Sequence, residues 1–243
     1  MGGRRDRTDE PRRAAVAVTL DALGTLVALE PPAPLLVAEL RARGVDVGAR
    51  QAAPAIAAEI AYYRANHDMA ADAASLARLR ARCTEVLRAG LLRAGADVGA
   101  LPAAELQEAL LASLRFVAYE EVPAALRALR DAGHPLVVVS NWDVSLHDML
   151  RTTGLDALVD GAISSAEAGV AKPGARIFER ALALVGGRAS AALHAGDSLE
   201  YDVAGARAAG LRPVLVARAS PRAAVPGGVT VIRSLAELPE LAA

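Results

Sequence analysis

The chain has 243 residues, a formal net charge of −1 and a pI near 6.4, which excludes the strongly basic footprint usual in nucleic-acid binders. Its single cysteine, Cys83, excludes an intrachain disulfide and fits a reducing compartment. No apolar run reaches the ~18 residues of a membrane span. The sequence therefore reads as a soluble, cytoplasmic protein that binds neither nucleic acid nor membrane.

Residues 1–14 mix Arg with Asp and Glu and hold almost nothing apolar, the composition of a disordered leader. Val16-Ala17-Val18-Thr19-Leu20 then reads as a fully buried parallel strand, ended by Asp21 and by Gly24, where the chain turns. Pro31, Pro32 and Pro34 break the pattern, and residues 35–117 read as helices without a convincing strand. Ile56, Ile60 and Tyr63 share a helical face, as do Leu76, Leu79, Cys83 and Val86, with Gly44, Gly90 and Pro102 as breaks between segments.

From Pro123 the chain alternates helix and strand. The helix 124–132 stops at Gly133 and leads to the strand Leu136–Val139, which ends in Ser140-Asn141. A helix over 143–153, a weak strand over 162–164 and the segment Lys172-Pro173 follow. Next come a helix over 175–185 and the strand Ala192–Ala195, which ends in Gly196-Asp197 with Asp202 close behind. A helix over 203–209 and strands over 213–217 and 229–232 complete the pattern. Strands alternating with helices predict a doubly wound, Rossmann-like α/β parallel sheet. Its divisions are a core of residues 15–30 and 118–243 and an inserted helical block, 31–117.

In such a sheet all strands point one way, so the polar stretches that end strands or sit in the loops beside them, Asp21, Ser140-Asn141, Lys172 and Asp197/Asp202, converge on one edge. A carboxylate at Asp21 is a nucleophile, a metal ligand or both. Three acids gathered there repel one another and imply a hard divalent cation such as Mg²⁺. Lys172 is the only lysine of a chain that uses arginine at every other basic position. A compact ammonium kept where arginine's planar fork does not fit marks a functional position. Together Mg²⁺ and Lys172 would neutralise a phosphoryl group and leave Asp21 to attack phosphorus.

The set Asp21-Ala22-Leu23-Gly24-Thr25-Leu26, Ser140-Asn141, Lys172-Pro173 and Gly196-Asp197-Ser198-Leu199-Glu200-Tyr201-Asp202 resembles, in order and spacing, the four motifs of the haloacid dehalogenase-like hydrolase superfamily. The resemblance spans residues 15–220 and implies that the helical block is a cap inserted after the first motif. It implies Asp21 as the nucleophile that forms an aspartyl intermediate. Ser140 and the backbone around Asn141 would hold phosphoryl oxygens, and Lys172 would pair with Asp21 and substrate. Mg²⁺ would lie on Asp21, Asp197 and the Leu23 carbonyl, with Asp202 orienting that site.

The departure from the pattern is Leu23. Phosphatases of this family usually carry a second Asp there as general acid and base, and leucine transfers no proton. The acid would then come from the cap, with His67, Tyr62 and Tyr63 as candidates, or the substrate has a good leaving group, or the protein binds phosphometabolites and turns them over poorly. The related 2-haloacid dehalogenases also lack this Asp, but they work without metal, and Asp197 and Asp202 would be unexplained charges in a metal-free anion site. A phosphatase of a small phosphorylated metabolite is the first expectation. His194, several residues before a strand end, is expected to be a packed core histidine.

Overall fold

The four residues Ala17–Leu20 form strand β1 and are buried throughout. The computed structural model describes residues 15–218 and 224–242, so the expected leader 1–14 lies outside the described residues. After β1 come β2 (Val27–Leu29), helices α1 (Pro32–Ala42), α2 (Ala49–Asn66), α3 (Ala73–Arg93) and α4 (Ala103–Ser113), and β3 (Phe116–Ala118). The alternating part follows as α5 (Val122–Asp131), β4 (Leu136–Ser140), α6 (Leu146–Thr152), β5 (Gly161–Ser164), α7 (Ser165–Ala168) and α8 (Ala175–Leu184). It ends with β6 (Ala192–Gly196), α9 (Ala204–Ala208), β7 (Arg212–Val216), β8 (Thr230–Ile232) and α10 (Leu238–Ala242).

Six strands make one sheet in the order β5-β4-β1-β6-β7-β8, every neighbour parallel. The side-chain period of two divides the core between its faces. Val18, Leu20, Leu136 and Val138 pack with Leu126, Leu129 and Leu150 of α5 and α6. Ala17, Val137 and Val139 pack with Ile177, Phe178 and Ala181 of α8. Both faces are covered, which gives the α/β doubly wound, Rossmann-like fold. The order runs outward from β1 through β4 to β5, then returns to β6 and runs out the other way. The reversal places the ligand crevice beside the end of β1.

Between β2 and β3 the chain leaves the sheet. Helices α1 to α4 bury an apolar core of their own, including Leu36, Leu40, Ile56, Leu79, Leu87, Leu91 and Leu106. Two expectations fail here. The stretch 35–117 is not free of strand, because Phe116–Ala118 pairs antiparallel with Val27–Leu29 as a two-stranded ribbon. Three residues are too few to show a period of two. Nor does Gly90 break a helix. It lies buried inside α3, where a Cβ would come 2.9 Å from the Cα and Cβ of Ala55 on α2, so the glycine lets two helices approach closely. Among the described residues, no helix is long and apolar enough to cross a membrane.

Candidate active site

Asp21 immediately follows β1, and its backbone N–H donates to Ala195 O at 3.0 Å, so the sheet itself fixes its position. Ser140, the last residue of β4, donates from Oγ to Asp21 Oδ1 at 3.0 Å. Lys172 Nζ donates to the same oxygen at 2.6 Å and to Asp202 Oδ1 at 2.6 Å. Lys172 is 3% exposed, and a charge so buried persists only when paired. Asn141 acts through the backbone of the lysine segment: its Nδ2 donates to Lys172 O at 3.0 Å and its Oδ1 accepts from Lys172 N at 2.8 Å.

Two glycines make room for the acids. Gly24 has φ +85°, and a Cβ on it would stand 2.2 Å from Asp197 Oδ2. A Cβ on Gly196, at the end of β6, would stand 2.2 Å from Asp202 Cγ. Asp202 sits in a π-helical turn, Leu199–Val203, ahead of the α9 helix proper. Its Oδ1 accepts from Lys172 and from His194 Nε2 at 3.0 Å, and its Oδ2 accepts from Ser198 N at 2.9 Å. Both oxygens are therefore occupied by protein donors.

The charges are unbalanced. Asp21, Asp197 and Asp202 bring carboxylate oxygens within 4.8 Å of one another, against the single Lys172 ammonium. Burial first, and then the neighbouring Asp202 and Asp197, push the Asp21 carboxyl up to about 6, although Lys172 draws it down. Asp197 is also pushed up, by desolvation and by Asp202. Burial works against Asp202 too, yet Lys172 and the His194 hydrogen bond hold it well below the usual carboxylate range. Lys172 is held above its ordinary value because the two acids outweigh its burial. The missing positive charge, the hard oxygen donors of Asp21 and Asp197, and the saturation of Asp202 fit a divalent cation held by the first two and braced by the third.

These groups form one end of a cavity of about 900 Å³ whose other wall is the faces of α2 and α3. That size suits a small metabolite. Leu23 lines it and places an apolar side chain beside Asp21. Of the expected cap acids, Tyr63 and His67 line the cavity, whereas Tyr62 packs against the apolar core of the helical insertion. Burial, then Asp143, pushes the Tyr63 phenol well above its usual value, so it keeps its proton at neutral pH. His67 Nδ1 is engaged by Asp68 Oδ1 at 2.8 Å, and the Ser165 hydroxyl of α7 donates to the same carboxylate.

Two contributors lie outside the sequence expectations. His194 is indeed packed, edge-on to Phe178 with ring centroids 4.9 Å apart, but it also bonds Asp202 and, through Nδ1, Thr19 Oγ1 at 2.9 Å. Arg218 donates to Gly24 O at 3.2 Å and Thr25 O at 2.6 Å, pinning the turn after Asp21. It follows the end of β7, so the strand-end logic that found Lys172's partners reaches it as well.

A family model described as haloacid dehalogenase-like hydrolase matches residues 16–210. The chain is 42% identical over 102 residues to the haloacid dehalogenase-like hydrolase domain-containing protein 3 of Bos taurus, covering 42% of this chain and 41% of that protein. It is 35% identical over 126 residues to the phosphoserine phosphatase of Thermus thermophilus, covering 50% and 51%. The chain thus spans between about two fifths and one half of the length of these curated relatives. A solved 2-haloacid dehalogenase from Pseudomonas syringae superposes with a TM-score of 0.66 at 24% identity, covering 94% of this chain and 98% of that one, a likeness of fold.

Proposed function

The chain belongs to the haloacid dehalogenase-like hydrolases, and from that premise we propose that it is a Mg²⁺-dependent phosphatase of a small phosphorylated metabolite, working through an aspartyl-phosphate on Asp21 in the cytoplasm. The helical insertion serves as its cap, spanning about 31–117. The observation that carries the reading is the charge count: three acids within 4.8 Å of one another around one ammonium. A dehalogenase site must hold a carboxylate substrate without metal, and the negative surplus at Asp21 and Asp197 repels one. A site completed by a divalent cation accepts a phosphoryl group instead.

Lys172 and Ser140 both hold Asp21 Oδ1, which fixes the carboxylate's orientation and leaves Oδ2 for phosphorus. Attack by that oxygen forms the aspartyl O–P bond and breaks the bond from phosphorus to the leaving oxygen. Water then cleaves the acyl phosphate, releasing phosphate and restoring Asp21. Lys172 and the backbone around Asn141 hold the non-bridging phosphoryl oxygens, which travel with phosphorus. Mg²⁺, on Asp21, Asp197 and the Leu23 carbonyl with Asp202 behind them, would polarise the phosphoryl group and offset its charge.

Asp197→Asn is expected to weaken Mg²⁺ binding by more than about tenfold, since even outer partners of metal sites act on that scale. The fold should hold, because Asp197 is exposed and supports no core contact. Isothermal titration calorimetry with Mg²⁺ measures this, and a parent protein that binds no Mg²⁺ contradicts the proposal.

Leu23 favours a narrower reading in which the substrate supplies a stable leaving group. Without an acid beside Asp21 the alkoxide departs unprotonated, so rates should fall steeply as leaving-group pKa rises. Leu23→Asp is expected to flatten that slope and to speed alkyl phosphates by about 10²–10⁴-fold. A flat slope in the parent, steepened by His67→Ala or Tyr63→Phe, assigns the acid to the cap instead. Negligible turnover of every ester, with measurable ligand affinity, makes the protein a phosphometabolite binder.

A further inference from the structure

Among the described residues Glu59 is the only buried glutamate, 2% exposed, and its Oε2 has no hydrogen-bond partner. It lies on α2 and lines the same cavity as Asp21 and Lys172, with Ile60 and Tyr63 beside it and Leu79 and Cys83 of α3 across from it. Proteins seldom leave such an atom unmatched, because a buried polar group without a partner forfeits its hydration for nothing. Burial pushes the carboxyl up, and the neighbouring Cys83 thiol only partly reverses this. No step assigned to Asp21, Ser140, Lys172 or Asp197 uses Glu59.

We propose that Glu59 is the specificity-determining end of the substrate cavity, where its free oxygen accepts a hydrogen bond from an amino or hydroxyl group on the alcohol portion of the phosphate ester held at Asp21. This deepens the phosphatase reading and rests on it. The cavity then has two unlike ends: Asp21 and Lys172 grip the phosphoryl group, and Glu59 reads a hydrogen-bond donor on the part that leaves. The apolar residues between them contact the connecting carbons. An ester that ends in a methyl group leaves Glu59 as unmatched as it is without ligand, and sites built on a buried hydrogen-bonding group discriminate strongly against such analogues.

The test compares 1/Ki, as competitors of p-nitrophenyl phosphate turnover, for ω-aminoalkyl, ω-hydroxyalkyl and plain alkyl phosphates across chain lengths from about two to six carbons, in the parent, Glu59→Gln and Glu59→Leu. Each ratio of substituted to plain ester is compared between proteins for the same ester pair, so leaving-group pKa cancels. The parent should prefer a substituted ester at one chain length by about tenfold or more. Glu59→Leu should abolish that preference, and Glu59→Gln should keep it for the hydroxyl while losing it for the ammonium. Glu59→Leu should also melt at the same temperature as the parent or higher, because it removes an unmatched polar atom. A parent ratio near one at every length, an unchanged ratio in Glu59→Leu, or a Tm lowered by several degrees (the sign of a structural role) overturns the inference. A parent that turns over no ester, p-nitrophenyl phosphate included, is a different result: it overturns the phosphatase reading and this inference with it.

Discussion

Asp21→Asn is expected to reduce turnover of every phosphate ester by about 10⁴-fold or more, the scale on which loss of a nucleophile acts. The amide cannot form the acyl phosphate, yet it keeps an oxygen where Ser140 and Lys172 donate to Oδ1. The fold should therefore survive. Removing one of three crowded acids relieves the burial of a charge and the repulsion that together push Asp21 up to about 6, so thermal melting should occur at the parent's temperature or slightly above. Binding of inorganic phosphate with Mg²⁺ should persist. Single-turnover kinetics and a melting curve on one preparation separate loss of chemistry from loss of structure, and activity near the parent's would make Asp21 a turn residue.

Lys172→Met is expected to be the most destabilising change at the site. It strands Asp21 and Asp202, at 6% and 1% exposure, without their shared ammonium. Breaking a buried pair from one side typically costs about 3–5 kcal/mol, readable as a lower urea midpoint at an unchanged m-value. Lys172→Arg should not rescue it, because a planar guanidinium fork does not reproduce a single Nζ that touches both carboxylates at 2.6 Å. The loss should also depend on pH. Asp202 is held below its ordinary value of 3.8, so its pairing stabilises the fold above that pH and fades as acid protonates it through the lower, folded value. The gap between parent and variant should therefore narrow in acid. A gap that widens in acid contradicts the assignment of the pair.

The strand ends were legible because burial on both sheet faces leaves apolar runs, and a polar residue closing such a run stands out. That pattern marked Asp21, Ser140 and Asp197, and the parallel order of the sheet brings them together with Lys172. Lys172 stood out as the only lysine and by its place in the Lys172-Pro173 motif. Glu59 was hidden because an acid on an alanine-rich helix reads as solvated. Its burial comes from α2 packing on α3, which Gly90 makes close and which no period in the sequence records. The β2–β3 ribbon escaped because three-residue strands are stabilised by their partner and carry no pattern of their own. His194 was legible as a core residue, but its bond to Asp202, eight positions on, depends on the π-helical turn that brings Asp202 back over the end of β6.

The central claim is that the acid cluster and Lys172 serve metal-assisted phosphoryl transfer. It is tested most directly by one side-by-side assay of acetyl phosphate, p-nitrophenyl phosphate and 2-chloropropionate, each with Mg²⁺ and each with EDTA, reading released phosphate or chloride. Phosphate release that requires Mg²⁺, with no chloride in either condition, is the predicted result. Chloride release that persists in EDTA would contradict it and assign Asp21 to carbon instead of phosphorus.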